Sequence, residues 1–154
     1  MRRRRALPLL ALAGTVAACG STAPQAATPP EPPLLVMAEA SAQRQFGLLA
    51  GGDWLNAWDM WTPTAQALIP RGEFGRLNSA CPLRLGVPYL IDGRDLAAPD
   101  AATITWHRGD ETGTTTLRLI EGVWRVEPDA ALRTEVSLGA DAALARRRTA
   151  ALCR

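Results

Sequence analysis

The amino-acid sequence predicts an α+β domain, N-terminal helices packed on a curved antiparallel sheet, carried behind an export leader. Three observations predict it. Between residues 35 and 80 apolar side chains recur at intervals of three and four, the period of helices with one buried face. From Val87 onward they alternate at intervals of two, the period of half-buried strands. Ahead of both lies a basic, then apolar, then proline-rich stretch that fits neither pattern.

That leader divides in two. Arg2 to Arg5 form a basic n-region, and Ala6 to Val16 an apolar h-region of about eleven residues, too short to span a bilayer. Val16-Ala17-Ala18-Cys19 then fits a bacterial lipobox: small side chains let a peptidase close on the backbone, and the Cys19 thiol becomes the lipidated thioether. Residues 1–18 are therefore expected to be a signal peptide. The mature protein is expected to be held at the extracytoplasmic face of the cell membrane by a lipid anchor on Cys19. Arg4-Arg5-Ala6-Leu7 partly matches a twin-arginine signal, which leaves the export route open.

Residues 19–33 carry Pro24, Pro29, Pro30, Pro32 and Pro33 among small residues, too little apolar surface for a core. At about 3.1 Å per residue in polyproline geometry the stretch reaches roughly 40 Å, a tether between lipid and domain. Its match to a proline-recognition motif is weak. Four of the seventeen basic residues, all of them arginine, precede the cut. Thirteen then face fifteen acidic residues, and the mature chain lacks the basic footprint of a nucleic-acid binder.

Leu35, Ala38, Ala42, Phe46 and Leu49 form one stripe of a first helix that Gly51-Gly52 should end in a left-handed cap. Asp53 is a good cap for a second helix, in which Trp54, Trp58 and Trp61 fall at i, i+4 and i+7. Thr62-Pro63 starts a short third helix to Ile69, and Arg71 to Ala80 a fourth with Phe74 and Leu77 inward. Val87 to Ile91 then reads as a strand ended by the turn pair Asp92-Gly93. Thr103 to Arg108 alternates with Ile104 and Trp106 on one side and His107 on the other. Thr114 to Ile120 and Val123 to Glu127 flank the two-residue loop Glu121-Gly122, pairing Leu119 with Trp124, Leu117 with Val126 and Arg118 with Arg125. Setting the Trp106 strand against that hairpin's apolar face places Trp106 opposite Leu117. Arg146-Arg147-Arg148 is expected to be a solvated charge run at the end of a last helix.

The helix Ala38 to Ala50, the join Gly51-Gly52-Asp53-Trp54, Phe74-Gly75-Arg76-Leu77 ahead of Cys81-Pro82, and the closing Glu121-Gly122-Val123-Trp124-Arg125-Val126 resemble the NTF2-like superfamily, the cone shared by ketosteroid-isomerase-like and SnoaL-like polyketide cyclase domains. The resemblance implies such a domain over residues 34–130, followed by a C-terminal segment, 131–154, expected to be helical and disulfide-tied. It embraces isomerases, cyclases and non-catalytic lipoprotein accessory domains, so it fixes no activity.

An isomerase or cyclase needs an acid or base inside the cone. Asp53, Asp59, Asp92, Asp95, His107 and Tyr89 are available, yet none stands in a motif that matches, and Asp53 and Asp92 have sufficient roles as cap and turn. No catalytic residue is assigned. The single His and the two remaining cysteines show no ligand spacing, so neither metal nor cofactor is expected. Trp58, Trp61, Trp106 and Trp124, with Tyr89 near the mouth, should converge on one space, either filled core or an apolar ligand pocket. Once Cys19 carries lipid, Cys81 and Cys153 remain, in an oxidising compartment, and a disulfide between them is expected. The expected function is a non-enzymatic lipoprotein that binds an apolar small molecule or a cell-envelope protein; an enzyme acting on a small carbonyl compound is the alternative, and a homodimer is left open.

Overall fold

Helix α1, Pro33–Gly51, lies across the inner face of a four-stranded antiparallel sheet and touches every strand. The computed structural model describes residues 33–153, so the lipobox, Cys19 and the tether through residue 32 fall outside the described residues. Among the described residues, no helix is long and apolar enough to cross a membrane. The helical stripe buries as its period requires: Leu35, Ala38, Ala42 and Phe46 are in the core, Leu49 packs against it, and Gly52 ends the helix at φ +80°.

Asp53 caps α2, Trp54–Asp59, accepting the Asn56 N–H. The helix stops earlier than the tryptophan spacing predicts. Thr62 precedes Pro63, which disfavours helical backbone at Thr62, found extended at ψ 150°. The freed backbone pairs with the sheet instead, Thr62 N–H donating to Val126 O (2.9 Å) and Val126 N–H to Met60 O (2.9 Å). Trp61 thus sits on a short parallel bridge and not on the helix. Helix α3, Pro63–Gln66, is a single turn, and α4, Arg71–Ala80, buries Phe74 and Leu77 as expected.

The sheet runs in chain order: β1, Leu90–Ala98; β2, Ala101–Arg108; β3, Glu111–Ile120; β4, Val123–Glu127. The β3–β4 hairpin pairs Leu119 with Trp124, Leu117 with Val126 and Arg118 with Arg125, across a turn with φ +51° at Glu121 and +78° at Gly122. Those positive values suit the right-handed twist of the strands. Two other strand expectations fail. Asp92-Gly93 is no turn: β1 runs through it with a register shift between Ile91 and Gly93, and the extra residue, Asp92, is held outward by His107 Nδ1 at 2.7 Å. Trp106 faces Gly113 and not Leu117, whose partner is Ala102. The two-residue connection Gly109-Asp110 fixes that register, and four positions separate it from the one that apolar matching suggests.

Helices α5, Ala130–Val136, and α6, Ala140–Thr149, close the chain and bring Val136, Ala140 and Ala143 to the core. The disulfide Cys81–Cys153 joins the end of α4 to the tail beyond α6, with Cα atoms 4.6 Å apart. Arg147 departs from the expected solvated run. Its side chain is 1% exposed, paired through Nε and Nη2 with Glu135 (2.9 and 2.7 Å), and Nη1 donates to Asn78 Oδ1 (3.0 Å) and Cys81 O (3.3 Å). Arg146 and Arg148 are exposed, because the buried stripe of α6 passes through Ala140, Ala143 and residue 147 alone.

Candidate functional site

Between α1, the inner face of the sheet and the start of α5 lies a cleft of about 100 Å³. Its walls are aromatic: Phe46 stacks on Tyr89 with centroids 4.6 Å apart, and Trp106 meets both edge-on, at 6.0 Å from Phe46 and 4.8 Å from Tyr89. Trp61 completes the wall from the bridge beside β4. The arrangement depends on Gly113. A Cβ there would stand 2.4 Å from Trp106 Cζ2, so only glycine lets the indole lie across β3. The indole N–H donates to Thr115 Oγ1 at 3.0 Å, which fixes the ring's direction.

Tyr89 is carried by an irregular stretch that Arg108 organises. Alternation along β2 turns Ala102, Ile104, Trp106 and Arg108 inward, and Arg108 is 4% exposed. Its guanidinium donates to Val87 O (3.0 Å), Leu83 O (3.1 Å), Arg84 O and the Tyr89 hydroxyl (3.0 Å). It also stands 4.6 Å from the Tyr89 centroid. Phe46 stacks on the same ring, and Arg108 is not among the residues that line the cleft. Burial holds the Tyr89 phenol above its usual pKa; Arg108 opposes this, while the carboxylates of Glu111 and Asp129 add to it.

The remaining cleft residues are polar at three places, Thr114 and Thr115 on β3 being one. Gln45 lines it from α1 and is 2% exposed, and its Oε1 has no hydrogen-bond partner. Glu127 and Asp129 line the other side, and no lining residue is basic. Glu127 is balanced by Arg118 (2.9 Å) and Arg133 (3.4 Å). Asp129 accepts the Leu132 N–H (2.8 Å) as the cap of α5 and has no arginine partner among the described residues.

The five aromatic residues expected around one space are thus divided. Trp61, Trp106 and Tyr89 meet at the cleft, with Phe46 as a fourth ring that the tryptophan count had not drawn attention to. Trp58 lies away from it, half-buried, donating its indole N–H to Ile69 O at 3.0 Å. Trp124 is buried core, 3% exposed, with an unpartnered Nε1. Of the residues weighed as acids or bases, Asp53 is a cap. Asp59 pairs with Arg71 at 2.7 Å, whose hydrogen bond holds that carboxyl below its usual range, and Asp92 holds His107 on the outer face. No group of three or more potential metal-ligating side chains forms among the described residues. A wider groove of about 440 Å³, between α3 and α5, is walled by hydroxyls and the Glu127–Arg133 pair and has no comparable aromatic lining. The chain matches no protein-family model and no curated protein.

Proposed function

We propose that the chain is a bacterial lipoprotein, anchored at the extracytoplasmic face of the membrane through Cys19, whose domain is a non-enzymatic member of the NTF2-like superfamily that binds a small, largely apolar ligand. Helices followed by a four-stranded antiparallel meander, with Gly122-Val123-Trp124-Arg125-Val126 in its last hairpin, support the family reading. One observation carries the ligand: the cleft walled by Phe46, Trp61, Tyr89 and Trp106, open beside a buried polar atom without a partner. Such combinations of apolar wall and sparse polar groups are typical of small-molecule sites.

Trp61 and Trp106 make the test direct. Intrinsic fluorescence of the full chain, titrated with short-chain lipids and small apolar compounds, should change saturably, and Trp106→Phe should remove most of the change. A flat response across the panel would refute ligand binding and leave docking of a cell-envelope protein as the better reading. The anchor has its own test, mass spectrometry of the mature N-terminus. At least two acyl chains at about 0.8 kcal/mol per buried methylene should hold the wild type on membranes and release Cys19→Ala.

A further inference from the structure

We propose that the cleft receives the protonated amino end of a small apolar amine, with the Gln45 carbonyl oxygen and the Asp129 carboxylate as its acceptors. The inference rests on the cleft being a ligand site and names the chemistry that fits it. Gln45 sits on the buried face of α1, three residues beyond Ala42, where the helical period calls for an apolar side chain. Instead an amide oxygen is withdrawn from water with nothing to accept, a state that favours any ligand bringing an N–H or O–H donor. The last torsion of glutamine is soft, so its amide can turn to present that oxygen to the cleft it lines.

Charge separates amine from alcohol. Two carboxylates and no basic side chain line the cleft, and Glu127 already has its two arginines. Asp129 is the carboxylate without one, exposed where it lines the cleft. Arg108, a buried cation beside the site, does not line the cleft, and its guanidinium is bonded to backbone carbonyls and the Tyr89 hydroxyl. Ring surfaces of Phe46, Trp61 and Trp106 offer apolar contact and favour a cation over an anion. Size limits the head group. About 100 Å³ is the share of roughly three waters at ~30 Å³ each, enough for an ammonium and a few methylenes while a longer chain trails outward.

The experiment compares three compounds of one shape. The full chain is titrated at neutral pH with hexylamine, hexanol and hexanoate, by tryptophan fluorescence and by calorimetry. Hexylamine should bind about tenfold or more tightly than hexanol, the size of one charge-assisted hydrogen bond, with hexanoate weakest. Asp129→Asn keeps a good helix cap and should abolish most of the preference for hexylamine over hexanol. Gln45→Met should weaken both donor-bearing ligands. Equal binding of amine and alcohol, or tighter binding of hexanoate, overturns the inference while leaving an apolar ligand site standing. Binding of none of the three overturns both.

Discussion

Replacing Arg147 by Met should cost this domain more than any other change to its arginine run. The guanidinium is 1% exposed and makes two bonds to Glu135, with Asn78 Oδ1 and Cys81 O as further acceptors. Methionine fills much of the volume but donates nothing, so the loss is one of pairing and not of packing. Breaking a buried ion pair from one side costs about 3 to 5 kcal/mol, and the low end applies because Glu135 is 22% exposed and regains some water. With an unfolding entropy of ~2.1 cal/mol/K per residue over roughly 120 residues, about 3 kcal/mol lowers Tm by about 12 °C. Circular dichroism melts of the oxidised protein measure this directly. Arg146→Ala and Arg148→Ala, on exposed positions of the same helix, should stay within about 0.5 kcal/mol of wild type. Adding Glu135→Leu to Arg147→Met should recover part of the loss, because the stranded carboxylate is then gone. A loss no larger for Arg147→Met than for its two neighbours would refute the buried network.

Other outcomes follow from the same geometry. Gly113→Ala should destabilise by about 1 to 3 kcal/mol in urea titrations and alter Trp106 emission, since its Cβ would stand 2.4 Å from the indole; a stabilised variant would mean the ring does not cross β3. Tyr89 is the single tyrosine, so alkaline titration followed by absorbance reads it alone. Its midpoint should lie above 10, burial being the largest cause. A phenol pKa raised by folding contributes stability that is present below about pH 10 and lost as pH climbs through the folded value. A midpoint at or below that of free tyrosine contradicts the packing. Removing the disulfide with Cys81→Ala and Cys153→Ala together should cost about 4 kcal/mol, the loop entropy of its 72-residue separation, read from urea midpoints of the wild-type and double-variant proteins. Two reactive thiols in the denatured, unreduced wild type would show that the bridge does not form.

Local rules made much of this architecture readable. The stripe of α1, the Asp53 cap, the bounds of α4 and the pairing across Glu121-Gly122 all follow from periods, caps and turn residues that act over a few positions. What failed was non-local. Asp92-Gly93 has the composition of a turn, but the segment pairs with β2, more than ten residues on, and the β2–β3 register follows a connection rather than matching apolar faces. Trp61 kept helical spacing after the helix had ended, because a proline two residues later and the edge of β4 both favoured extended backbone. The tryptophans therefore did not share one space.

Three polar side chains escaped for a common reason. Gln45, Arg108 and Arg147 each continue an apolar period, following Ala38 and Ala42 on α1, Ile104 and Trp106 on β2, and Ala140 and Ala143 on α6. Periodicity places all three inside, while side-chain type suggests solvent, and the structure sides with periodicity every time. Their surroundings then separate them. Arg108 is bonded to carbonyls and Tyr89, and Arg147 to Glu135, Asn78 and Cys81 O, so both fasten irregular or terminal segments to the core. Gln45 fastens nothing with its Oε1. A buried polar group that fails to join its own fold is a cost that a hydrophobic substitution would remove, so Gln45→Met should stabilise the ligand-free protein, by about 1 to 3 kcal/mol if the full desolvation penalty is recovered. The same change should weaken amine binding. Gain of stability with loss of binding is the signature of a residue kept for its ligand, and thermal melts of the variant with and without hexylamine read both; a variant destabilised without ligand would show that the amide already has a structural partner.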